Sequence, residues 1–321
     1  MILSLWRLRA PCYGPSALPL TRPETATESL PGVARQPAEA DGVNLALRLT
    51  LLTLLLRPVG TGFVRLLSLG LAGGGLLLPS QLRRPGLWTA LTVVTGLRVA
   101  LDWSLADNHA YLLCYWCFAV SLALTSQDVA GCLASNGRLL IGWAFAFAVV
   151  WKLFLSPDYL DGRFFRVIML SDNRFADFVQ LLGGLSPDLL ADLRSFVHGR
   201  WPETLAPPQE PARFLRLAQA ATVWTVLIEG AVALAFLWPV RRGLSRLRDT
   251  FLLCFCATTY TMVTVEGFGW LLISLGVAQC EPRRKRTRLF YLATFGLILF
   301  CREVPWLQLK SLGYALLFQK G

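Results

Sequence analysis

The sequence predicts an all-α, multi-pass transmembrane helical bundle of about seven to ten spans, with a disordered N-terminal tail and one long extracytoplasmic loop. Three observations predict it. Of the 321 residues, 55% are hydrophobic and only 16% charged, with a mean hydropathy of +0.51, too little charge to cover a soluble domain of this length. Apolar runs recur from Asn44 to the end of the chain. The basic residues fall in short clusters between those runs, so the net charge of +11 reads as the positive-inside bias of cytoplasmic loops and not as a nucleic-acid surface. Eleven Trp suit a chain with two membrane interfaces to line.

Residues 1–43 are Pro-, Ala-, Thr- and Glu-containing, with little to bury, and read as the disordered tail. Arg7 and Arg9 break the apolar start, which argues against a cleaved signal peptide. The transmembrane domain is 44–321. A span needs about 20 mostly apolar residues, fewer with snorkelling flanks. The clearest candidates are Leu87–Trp103, His109–Thr125, Leu139–Leu155 and Leu217–Val240. Thr250–Cys280 carries one charge, Glu266, and reads as a hairpin broken near Glu266-Gly267. Asn44–Leu56 and Val59–Pro79 are weaker, split by Arg57-Pro58, and Leu289–Cys301 and Val304–Phe318 are short.

Topology follows from the loop charges. Arg83 and Arg84, Arg138, the arginines of 241–248, and the basic run of 283–288 alternate with the spans so as to share one side, the cytoplasm. The opposite side receives Ser104–Asn108 and the long loop 156–213, which is Pro- and Asp-rich and expected to contain short amphipathic helices such as Pro187–Val197. The bacterial inner membrane is the expected location, although a eukaryotic endomembrane obeys the same charge logic.

Polar residues inside apolar runs are the candidates for chemistry. His109 opens one run and Lys152 lies near the end of the next, which delivers both to the extracytoplasmic face. Each also has a plainer reading, an interfacial imidazole and a cation snorkelling to the headgroups. Glu229 lies near the middle of a 24-residue apolar run, where a carboxylate needs a partner; Arg98 is one candidate. Cys114-x-x-Cys117 sits in an uncharged run without a second metal-binding pair, so these thiols read as inert core, and no metal site is expected. No GxGxxG, P-loop, HExxH or GxSxG motif occurs.

Asn108-His109-Ala110-Tyr111-Leu112-Leu113, with Gln127-Asp128 beyond the same helix, resembles the NNHSYL segment of the vitamin K-dependent gamma-carboxylases and the wider HTTM membrane proteins. Trp151-Lys152-Leu153, followed by Asp158-Tyr159-Leu160-Asp161-Gly162, is similar to that family's K-L…D-W-x-x-G segment. Trp224…Glu229 and Glu266-Gly267-Phe268-Gly269-Trp270 are similar to its last membrane helices, and the resemblance covers roughly 44–305. It implies that Lys152 is the base that starts quinol oxygenation, supported by His109. It also implies that Asn108, Trp151, Asp158, Tyr159 and Glu229 line the substrate. The cofactor implied is a reduced quinone such as vitamin K hydroquinone, and the partners are the lipid bilayer and a small lipophilic quinol. The chain departs from the pattern in the spacing after Lys152-Leu153, in lacking a His near 254–259, and in ending at Gly321 without a large lumenal domain. A lyase-like reaction on a small or lipidic substrate is therefore the leading expectation. A transporter or lipid-handling protein using Glu229 and Glu266, or a non-catalytic membrane scaffold, are the alternatives.

Overall fold

Helix is the only regular structure among the described residues of the computed structural model, which are 37–103, 106–239, 243–261, 266–281 and 283–304. Residues 1–36, most of the segment expected to be a tail, lie outside that set, as does the short apolar run 305–318. The chain opens with α1 (Pro37–Leu56), α2 (Gly62–Leu77), α3 (Pro85–Leu101), α4 (Asn108–Ala123) and α5 (Val129–Val150). Four short helices follow: α6 (Pro157–Leu160), α7 (Arg163–Ser171), α8 (Ala176–Leu181) and α9 (Pro187–Val197). The chain then returns through α10 (Ala212–Leu237), α11 (Arg248–Tyr260), α12 (Glu266–Gln279) and α13 (Lys285–Glu303).

The boundaries follow local chemistry. Arg57-Pro58 ends α1 because a proline removes a donor and disfavours helix in the residue before it. Asp107 caps α4 by accepting from the Ala110 N–H at 3.0 Å, and Asp128 caps α5 by accepting from Gly131 N–H at 2.9 Å. That second cap starts α5 ten residues before the expected Leu139, because the sequence reading required apolarity where the helix requires only a cap. Pro187–Val197 is a helix as expected, capped by Ser186. α12 begins at Glu266, the expected break.

Two helical stretches are long and apolar enough to cross a membrane, Val129–Leu155 and Ala212–Leu237, and three shorter ones are apolar, Gly62–Leu77, Pro85–Leu101 and Gly267–Gln279. α5 and α10 pack along each other, α12 lies against α1 and α5, and α3 pairs with α4. Their shared core includes Trp88, Trp116, Phe236, Trp270 and Tyr291. Its buried indoles are satisfied: the Trp116 indole donates to the Thr50 hydroxyl at 2.9 Å, and the Trp88 indole to Leu82 O at 2.9 Å. At one end, Asp249 is 4% exposed and accepts from Gln279 at 2.5 Å and from the Tyr291 hydroxyl at 2.9 Å, tying α11, α12 and α13 together. Arg284 lies 3.6 Å from the same carboxylate.

The long loop expected at 156–213 is a folded unit. Met169, Leu170, Phe175, Val179, Leu185, Leu190 and Leu193 form a second apolar cluster, closed by Phe214 at the start of α10. A run of α-helices this short survives because it buries a shared face, not by helix propensity.

α5 approaches α12 so closely that a Cβ at Gly137 would lie 2.9 Å from the Leu275 carbonyl oxygen. Small residues permit such backbone contact between apolar helices. Gly137→Ala is expected to destabilise by about 1–3 kcal/mol through overpacking. Gly70→Ala, which meets open space, should be neutral or stabilising. Thermal unfolding of the two variants side by side checks this.

Candidate functional site

Lys152 does not sit in an ordinary α-helical turn. α5 runs into a π turn, Trp151–Leu155, a wider coil that is rare and recurs at functional sites. Ser156, extended at φ −132° and ψ 81°, precedes Pro157 and stops the helix. Gly162 then turns the chain with φ +82°, a conformation that favours glycine. This reversal folds α6 back so that Tyr159, only 2% exposed, covers the end of α5.

The Lys152 ammonium pairs with Glu229 Oε2, a contact between two side chains that are 13% and 9% exposed. The Lys152 Nζ also stands 5.3 Å from the centre of the Tyr159 ring, in cation–π range. Tyr159 is held from its other side by Phe164 at 4.9 Å and Phe165 at 5.6 Å. Burial pushes the Tyr159 phenol up from its ordinary range, the Glu229 charge adds to this, and a hydrogen bond with Thr225 opposes it. The phenol therefore stays protonated. Thr225 and Glu229 are four residues apart on α10 and so share a face.

The expected Arg98 partner for Glu229 is corrected: Arg98 pairs with Asp102 at the end of its own helix. Depth explains the difference. The first ten residues of α10 pack on the small apolar unit through Phe214, Leu217 and Ala221. Glu229 thus lies only about 12 Å beyond that unit, near the turn that holds Lys152, and not at the midpoint its apolar run suggested.

His109 is placed differently. Its Nδ1 is 3.4 Å from Asp107 Oδ2, and its ring packs, tilted by 44°, against Phe268 of α12 with centroids 4.3 Å apart. Among the described residues no hydrogen bond or ion pair joins His109 to Lys152. From the His109 ring an aromatic series runs on to α11, where Phe268 lies 6.4 Å from Tyr260. Of the other expected site residues, Asn108 is exposed at the start of α4, and Trp151 is 48% exposed on the π turn. Asp158 forms a solvent-facing pair with Arg163 at 2.7 Å. Thr225 and Phe268 were not singled out by sequence; only the periodicity of α10 signals Thr225, and nothing signals the Phe268 contact. The seven described cysteines are free thiols, and the described residues offer no group of three or more metal-ligating side chains.

No family model, curated protein or solved structure matches the chain.

Removing one partner of a buried pair strands the other charge, so Glu229→Ala alone should cost about 3–5 kcal/mol. The double change Lys152→Met with Glu229→Leu should recover most of that loss, because an apolar pair of similar volume needs no counter-charge. A double-mutant cycle on melting curves measures this coupling. A second expectation concerns pH. The His109 hydrogen bond holds the Asp107 carboxyl at about 2, below its ordinary 3.8. The stabilisation this gives is present above 3.8 and is lost as pH falls towards 2. His109→Ala should move that acid edge of the stability profile upward.

Proposed function

We propose that the chain is a multi-pass integral membrane protein whose working centre is the Lys152–Glu229 pair beneath Tyr159. Its outer surface supports the membrane reading. Only 17% and 39% of the most apolar windows of Val129–Leu155 and Ala212–Leu237 are buried within the protein, whereas a soluble core helix would be mostly enclosed. Phe63, Trp143, Phe147, Phe154, Leu227 and Phe290 all stand exposed, a load of apolar surface that water does not tolerate. Trp103, Trp151 and Trp238 are exposed at helix ends, as residues of a membrane interface are. In this reading about seven to ten spans cross the bilayer, the arginine clusters face the cytoplasm of a bacterial inner membrane, and α6–α9 lie outside.

One observation carries the chemical reading: the Lys152 amine turns inward to a carboxylate instead of outward to headgroups. A buried charge pair set on a π turn and roofed by a neutral phenol is suited to proton transfer from a lipophilic hydroxyl compound of the quinol class. Glu229 accepts the quinol proton, and the Lys152 ammonium stabilises the oxyanion left behind, so charge is conserved in the step. Oxygenation of that activated quinol by dioxygen is the step the HTTM and gamma-carboxylase resemblance implies. His109 enters through the wall it forms with Phe268.

The test is quinol turnover in membranes supplied with vitamin K hydroquinone. Lys152→Ala and Glu229→Gln should each lower turnover by about 10²- to 10⁴-fold, the range for a positioned acid–base group. Wild-type epoxide formation by either variant, at equal protein level, rules the reading out.

A transport function is the second reading, favoured by one feature: Glu229 is an ionisable group held within an apolar helix, the kind of residue that marks ion and substrate pathways in membranes. Substrate uptake abolished by Glu229→Gln but retained in Lys152→Ala would favour it over the enzyme.

A further inference from the structure

The unit formed by α6–α9 holds a cavity of its own, which shares no lining residue with the Lys152–Glu229 pair. It occupies about 350 Å3 between α8 and α9, within the range of small-molecule sites. Its lining is partly apolar, with Ala176, Pro187 and Leu190, and partly polar, with Gln180, Ser195 and two guanidiniums, Arg194 and Arg200; none of the lining residues is a carboxylate.

Arg194 is only partly engaged. Its Nε donates to the Leu170 carbonyl at 2.8 Å, which fixes the plane of the group, while its Nη2 is buried with no hydrogen-bond partner. Because the guanidinium fork is rigid, one anchored N–H sets the direction of the others. A buried donor left unpaired is costly, so this group is prepared for an acceptor. Asp172 lies close enough to feel the Arg194 charge, but Arg174 grips that carboxylate through Nε at 2.9 and 3.0 Å and through Nη2 at 2.5 Å. Arg200 is set at the cavity edge by its own backbone, whose N–H donates to Ser195 O at 2.8 Å and closes the turn after α9.

We propose that this cavity binds a small organic phosphate, a phosphomonoester whose oxygens meet Arg194 and Arg200 and whose organic part lies against Ala176, Pro187 and Leu190. Two guanidiniums line the cavity and no carboxylate does, so a doubly charged anion answers both. A phosphomonoester carries about −1.5 to −2 at neutral pH, whereas a carboxylate would leave one cation uncompensated. Arginine is suited to bidentate capture of phosphate oxygens. The space equals roughly ten water molecules, so a bare phosphate ion would leave the apolar part of the lining unused. The same group is presented by a soluble phosphomonoester or by the headgroup of phosphatidic acid, and the chemistry of the site is shared by both.

The experiment uses the full chain in phosphatidylcholine nanodiscs, titrated calorimetrically with glycerol phosphate and with inorganic phosphate. Glycerol phosphate should bind, inorganic phosphate more weakly. Arg200→Gln, at an exposed position that leaves the fold intact, should weaken binding at least tenfold. Arg194→Lys, which keeps the charge and loses the fork, should do the same. Binding of glycerol phosphate in these discs assigns a soluble ligand. Weak binding of it, together with a melting temperature raised by phosphatidic acid in wild type but not in Arg200→Gln, assigns a headgroup. Absence of both effects, or equal binding by wild type and the two variants, overturns the proposal.

Discussion

An ammonium and a carboxylate withdrawn from water are tolerable only in each other's company, and the contact of Lys152 with Glu229 satisfies that requirement between α5 and α10. The surrounding structure arranges itself around this necessity. The π turn swings the amine inward, Pro157 ends the helix just after it, and Gly162 returns the chain so that Tyr159 covers the pair. An α-turn continued past Trp151 would present Lys152 on a different bearing, so the widened coil is part of how the two charges meet. Three of the sequence's local irregularities thus serve one contact.

The opposite problem is solved at the other end of the last helices. Asp249 is as deeply placed as Glu229, yet it is answered by a phenol, an amide and an arginine together instead of by one cation alone. A carboxylate with several donors is a fixed structural node, because no one partner can leave without the others holding it. The Lys152–Glu229 contact has one dominant partner on each side and an aromatic roof. That contrast, between a carboxylate locked by a network and one answered by a single cation, is why the proposed chemistry is placed at Glu229 and not at Asp249.

Helix positions were largely legible in the sequence because apolarity and turn residues declare them: the break at Arg57-Pro58, α9 at Pro187–Val197 and the start of α12 at Glu266 all follow from local signals. The beginning of α5 was not, since Asp128 and Gly131 cap it within a polar stretch. Lys152 and Glu229 stand out individually as charged groups in apolar runs, whereas Tyr159 enters only through the family resemblance. Their meeting does not stand out, because depth along α10 depends on how much of that helix the neighbouring small unit claims, and this is a tertiary quantity. The folding of 156–213 into a unit with its own core was equally hidden, as its apolar residues are sparse and interrupted by Asp, Arg and Pro.

α10 belongs to two places at once. Phe214 seals the small unit's interior, and fifteen residues later, about 22 Å along the same uninterrupted rod, Glu229 reaches Lys152. A straight helix transmits tilt without absorbing it. Whatever reorients the small unit at its head therefore swings the carboxylate at its waist, so that a lever joins the packing of α6–α9 to a buried charge pair.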